Sequence, residues 1–177
     1  METRKGNHKE TCAEVTIMPY SPTVVANNIL ARAFKEKLYP TPMKLQKILY
    51  FVSSQYIKKT GHPLLESPFL TWAYGPVVYT VYDEFRPFSK NGIKRYARDA
   101  AGQSYIVDEN EDRALAESLS EVWEATKYRG AVDLSKITHK ESSAWDKAYQ
   151  RGEDTLSWED VKQDRTYVDE LGLANAH

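Results

Sequence analysis

Between Thr41 and Pro63 the chain carries a helix with both of its ends marked. Thr41 offers a side-chain acceptor to the free N–H groups of a first turn, and Pro42 sits where a missing donor costs nothing. Leu45, Ile48, Leu49, Val52 and Tyr56 follow at offsets of 0, 3, 4, 7 and 11, which places them on one apolar stripe. Gly61 and then Pro63 stop the helix. A stripe of that length is stable only when other elements bury it, so the rest of the chain is read for what covers it.

Further helices follow from the same signals. Ser21 as N-cap and Pro22 behind it open a helix through Val25, Ile29, Leu30 and Phe34 to about Lys37. Leu115, Leu119, Val122 and Trp123 mark another from about Glu111 to Lys127, and Pro76 fits the first position of a short one carrying Val77, Val78, Val81, Tyr82 and Phe85. Three Ser/Thr-x-x-acid pairs predict capped short helices near the end: Thr138 with Glu141, Ser143 with Asp146, and Ser157 with Asp160. Phe69 to Tyr74 reads as a short extended segment ending in a turn, and Ile93 to Tyr96 with Ser104 to Val107 as the strands of a hairpin. The expected fold is mainly α, a compact single domain with a small β-hairpin or short sheet. It occupies residues 21–170, between a flexible tail at 1–20 and a C-terminal tail at 171–177.

Composition agrees with one core. The 177 residues are 41% hydrophobic and 12% aromatic, too apolar for a disordered chain. The net charge of −1 conceals an asymmetry: residues 1–96 hold 14 Lys/Arg against 7 Asp/Glu, and residues 97–177 hold 10 against 18. Either the halves neutralise each other in the fold or a charged face is kept for a partner. The absence of a strongly basic balance makes nucleic acid an unfavoured partner. A single cysteine, Cys12, forms no internal disulfide, no apolar leader follows the charged N-terminus, and the dense apolar run Ile48–Val52 is far too short for a bilayer. A cytoplasmic protein without a membrane role is expected.

Few residues point to chemistry. His139 and Glu141 stand two apart, which on a helix separates their side chains by about 200°, unlike the two histidines of a zinc helix; the pair Thr138 and Glu141 is read as a capping box instead. Ser142, Ser143, His139 and Asp133 match a hydrolase by composition without a nucleophile elbow or oxyanion loop. His62, followed by proline, reads as a turn residue. No phosphate-binding glycine loop is present in the sequence, so neither a cofactor nor a metal is expected. On the helix that opens at Pro42, Lys44, Lys47, Phe51 and Lys58 share about 60° of arc away from the apolar stripe. A phenylalanine among lysines resembles an interaction surface, and these four are the expected partner-binding residues. Glu117, Glu121 and Glu124 form an acidic face on the helix near Glu111 to Lys127.

The strings Met43-Lys44-Leu45-Gln46-Lys47-Ile48-Leu49-Tyr50-Phe51, Gly61-His62-Pro63-Leu64, Trp72-Ala73-Tyr74-Gly75-Pro76-Val77-Val78 with Val81-Tyr82, and Leu134 with Thr138-His139-Lys140-Glu141 and Trp145-Asp146-Lys147-Ala148 occur in this order. Together they resemble the Panacea domain family, which includes SocA-like antitoxins and GepA-type phage-associated proteins. The resemblance covers about residues 21 to 170. It departs at Ala144 and Tyr79, where the family often has proline. It implies a non-enzymatic antitoxin that binds and neutralises a cognate toxin by direct contact, some members also presenting the toxin to a cellular protease. It further implies a structural role for Trp72, Tyr74, Gly75, Pro76, His139, Glu141 and Trp145. The competing readings are a DNA-binding regulator of its own operon and a small hydrolase using His139.

Overall fold

The computed structural model describes residues 18–173. The expected tail before residue 18, with Cys12, and the last four residues of the C-terminal tail lie outside the described residues. The helices are α1 (Pro22–Lys35), α2 (Pro42–Thr60), α3 (Tyr79–Phe85), α4 (Arg113–Thr126), α5 (Ala131–Thr138), α6 (Ala144–Gln150) and α7 (Trp158–Gln163). A two-stranded antiparallel sheet, β1 (Leu70–Trp72) and β2 (Gly75–Val77), precedes α3. This is the mainly α fold with a short sheet that the patterning predicts.

α2 is the axis. Thr41 accepts from Lys44 N at 3.3 Å, and Gly61 closes the helix with φ +75°, a left-handed conformation open to glycine. The helix packs against α1, α3, α4, α5, α7 and β2, so every residue from Leu45 to Ile57 is buried, not only the stripe. α4 is capped by Asp112, which accepts from Leu115 N (3.1 Å) and from the hydroxyls of Tyr20 (2.7 Å) and Tyr56 (2.9 Å). Tyr20 is therefore part of the fold rather than of a tail, and its backbone pairs with Leu64 and Glu66. Leu171 is likewise buried, one residue beyond the expected boundary at 170.

The caps divide. Ser143 accepts from Asp146 N and Ser157 from Asp160 N, as the sequence predicts. Thr138 does not open a helix: it ends α5, its hydroxyl donating to Ser135 O at 2.6 Å, and Glu141 is exposed in the turn before α6. The pair belongs to a helix end because α5 arises at Ala131, where no cap or stripe announces it. Pro76 is in β2 and not at a helix start. Its cross-strand partner Thr71 sends its N–H outward to Asp154 O (2.9 Å), so the ladder needs no donor there.

The expected hairpin at residues 93–107 is replaced by a different arrangement. Asn27 accepts from Ala97 N (2.8 Å) and donates to Ala97 O (3.1 Å) and Tyr105 O (2.9 Å). Asn28 brackets Val107 the same way, at 2.9 Å on each side. These buried amides take the backbone groups that two paired strands would have exchanged.

Candidate functional site

The lysine face of α2 is where the structure departs furthest from expectation. Lys47 is 1% exposed and Phe51 is fully buried. Phe51 packs on the Tyr167 ring with centroids 5.0 Å apart, and Lys58 donates to the Tyr167 hydroxyl (2.8 Å) and to Asp164 O while lying over the same ring. Lys44 donates to Lys127 O at 2.6 Å. The face is thus divided among the turn after α4, β2 and the C-terminal segment. Lys44, Lys47, Phe51 and Lys58 form no common exposed surface, which corrects the reading from helical spacing. Burial pushes the ammonium groups down, to about 7 at Lys47 and to about 8 at Lys58, where the Asp164 carboxylate offsets part of the effect. Lys59, not these lysines, meets the acidic face of α4, at 2.8 Å from Glu121 and 3.9 Å from Glu117.

The residues of the other motifs converge on one place, the tip of the β1–β2 hairpin. Trp145 Nε1 donates to Trp72 O (2.7 Å), His139 Nε2 lies 2.8 Å from Ala73 O, and Ser135 Oγ donates to Tyr74 O (2.6 Å). From α2, Lys47 Nζ donates to Pro76 O (3.0 Å), and the Gln46 amide accepts from Val78 N (3.0 Å) and donates to Val78 O (3.1 Å). Five carbonyls between Trp72 and Val78 are held by side chains from three helices. The second ring nitrogen of His139, Nδ1, is 2.6 Å from Ser135 O, and the ring leans on Trp145 with centroids 4.0 Å apart. Each ring nitrogen thus faces a backbone carbonyl, and a neutral imidazole donates to one of the two.

Gly75 completes the turn. Its φ of +110° is strained for any residue with a side chain, and a Cβ there would lie 2.6 Å from Thr138 Oγ1. The close approach of α5 and Lys47 to the hairpin therefore depends on a missing side chain.

What this framework presents is Tyr74, 69% exposed at the hairpin tip. A cleft of about 330 Å³ lies on one side, lined by Met43, Lys47, Trp72, Tyr82, Arg86 and Lys90 among others. On the other side a cleft of about 380 Å³ is bounded by Met43, Ala73, Val132, Lys136 and His139. Both are mainly apolar, both contain basic side chains, and neither is lined by an aspartate or glutamate among the described residues. Tyr79 and Val132 add exposed apolar surface at the two margins. Aromatic and apolar anchors beside basic groups, on backbone fixed from behind, suit docking of another protein. Sequence reasoning treats Tyr74 as structural and passes over Arg86 and Lys90; the signal available was the turn that puts Tyr74 before a glycine.

Comparison with known proteins places the same residues in a matched region. The family model for the antitoxin SocA-like Panacea domain matches residues 45–146, a span that begins just before Gln46 and ends just after Trp145 and so encloses the hairpin with every side chain that holds it. The antitoxin SocA of Caulobacter vibrioides (strain NA1000 / CB15N) is 30% identical over 128 residues, covering 69% of this chain and 66% of that protein. The chain thus aligns with slightly under two thirds of that relative's length. No solved structure matches.

Proposed function

Since this chain belongs to the SocA-like antitoxin family with a Panacea domain, we propose that it is a cytoplasmic antitoxin that neutralises a cognate toxin by direct protein–protein contact. The toxin docks on the face around Tyr74. The observation that carries the reading is the hairpin tip itself: a tyrosine left in solvent between two clefts, on a turn whose carbonyls at Trp72, Ala73 and Tyr74 are each bonded from α5 or α6. Such fixing lowers the ordering cost of binding, because the anchor is already in place before the partner arrives.

The test is rescue of growth against the toxin encoded in the adjacent reading frame. Tyr74→Ala should reduce binding at least tenfold, the scale of a central aromatic anchor, with an unchanged melting temperature. Full rescue and unaltered affinity would place the interface elsewhere. The toxin's half-life in cells separates occlusion, which leaves it long-lived and silent, from delivery to a protease, which shortens it.

A further inference from the structure

The cleft on the Lys47 side of Tyr74 is lined by three basic side chains and, among the described residues, by no aspartate or glutamate. Lys47 lies at its inner wall, 1% exposed, and its hydrogen bond goes to a neutral acceptor, Pro76 O. Lys90 is exposed and in no ion pair among the described residues, and Arg86 meets only Asp83, at 3.4 Å, with both side chains more than half exposed. A pair so exposed is worth little and gives way to a better partner. Aromatic rings form part of the rest of the wall: Trp72 and Tyr82 meet edge to face with centroids 4.8 Å apart, beside Tyr74 and the apolar Met43 and Val77.

The lysine is the unusual element. Burying an ammonium without an anion is costly, and a methionine of similar length would fill the same space at lower cost. The fold makes limited use of its charge, since Pro76 O needs a donor and not a cation. Neighbouring lysines are treated differently: Lys59 has Glu121 and Lys127 has Glu36 and Glu124. Lys44 and Lys58, like Lys47, donate to neutral oxygens, but of the three only Lys47 lines the cleft beside the proposed anchor and is so fully enclosed, at 1% exposed.

We propose that this cleft receives an acidic side chain of the toxin, whose carboxylate is drawn in by Arg86 and Lys90 and comes to rest against the Lys47 end, its stem between Trp72, Tyr82 and Tyr74. The inference rests on the docking face proposed above and adds the chemistry of the occupant. The carboxylate supplies the anion that the fold omits, so affinity and partner choice depend on a group that the free protein holds at a disadvantage. Burial already pushes Lys47 down to about 7, and an arriving carboxylate favours its charged form.

The experiment titrates the adjacent-frame toxin with the full chain at two salt concentrations. Variants are Tyr74→Ala, the double variant Arg86→Glu with Lys90→Glu, and Lys47→Met. The double variant should weaken binding by tenfold or more at low salt, lose most of the wild-type salt dependence and melt like wild type, because both residues are on the surface. Lys47→Met should weaken binding about tenfold; should it fail to fold, the surface pair decides alone. A toxin variant with one interface Asp or Glu changed to Lys should lose affinity for wild type and regain it with the double variant. If Tyr74→Ala weakens binding while the charge variants do not, the docking face stands and the acidic occupant is overturned. If neither set has an effect, both are overturned.

Discussion

Lys47 is legible as a helix residue and illegible as a buried one. Helical spacing puts it opposite the apolar stripe, where a lysine is normally solvated, yet the hairpin closes over it. The consequence is a definite pH dependence. An unperturbed lysine titrates near 10.4 and this one, in the fold, near 7. Between the two values the unfolded chain binds a proton that the folded chain does not, so stability rises with pH across that window, by up to about 1.4 kcal/mol per unit. Below about pH 7 the cost is constant. Above about pH 10 the sign reverses, because buried Tyr50 and Tyr167 are held protonated in the fold by desolvation. The difference between the urea midpoints of wild type and Lys47→Met should change between pH 7 and 9.5, wild type gaining stability relative to the variant as pH rises. Parallel curves would show that the buried amine does not titrate in this range.

At the scale of elements, one device recurs. Asn27 serves Ala97, Asn28 serves Val107 and Gln46 serves Val78, each amide accepting from an N–H and donating to the carbonyl of the same residue. A carboxamide has the donor and acceptor of a peptide group, so a helix side chain stands in for a neighbouring strand. This explains why the segments at 93–96 and 104–107, with strand-like sequences, do not pair with each other as strands. Asn28→Ala removes the partners of both Val107 backbone groups in the interior and should cost about 2–4 kcal/mol in denaturant unfolding, the scale of two unmet buried groups. Asn28→Asp keeps the acceptor but turns a carboxylate oxygen onto Val107 O and the Glu109 carboxylate, which the amide now bonds at 2.9 and 3.0 Å, and should cost at least as much as the alanine variant. A loss below 1 kcal/mol for the alanine variant would mean that water or a relaxed loop satisfies Val107 instead.

For the molecule as a whole, the opposite charges of the two halves are spent partly inside. Arg32 with Glu109, and Lys59 with Glu121, join the basic N-terminal half to the acidic C-terminal half. Asp164, 2% exposed, also ties the halves together, but through neutral donors rather than a cation. Its Oδ2 accepts from the Tyr50 hydroxyl at 2.5 Å and from Ala144 N at 3.2 Å, and its Oδ1 from the N–H (3.0 Å) and hydroxyl (2.7 Å) of Thr166. One carboxylate thus joins α2, the start of α6 and the C-terminal segment. Asp164→Ala should cost about 3–5 kcal/mol by leaving those donors unmet, read as a lowered urea midpoint. A variant as stable as wild type would show that the C-terminal segment is held by its apolar contacts alone.

Sequence by itself determined what depends on neighbours along the chain. The bounds of α2 follow from Thr41, Pro42 and Gly61, the caps of α6 and α7 from Ser143 and Ser157, and the membership of the hairpin residues in a structural motif from their order. These signals act over one or two turns, within reach of a side chain and its own backbone. Tertiary structure alone decided that α2 is enclosed, that Phe51 is covered by Tyr167, that Thr138 ends a helix, and that Tyr74 stands between two basic clefts. Apart from the end of α5, each of those depends on residues tens of positions away. Helical periodicity states which side chains share a face, whereas what lies against that face is settled by how the whole chain packs.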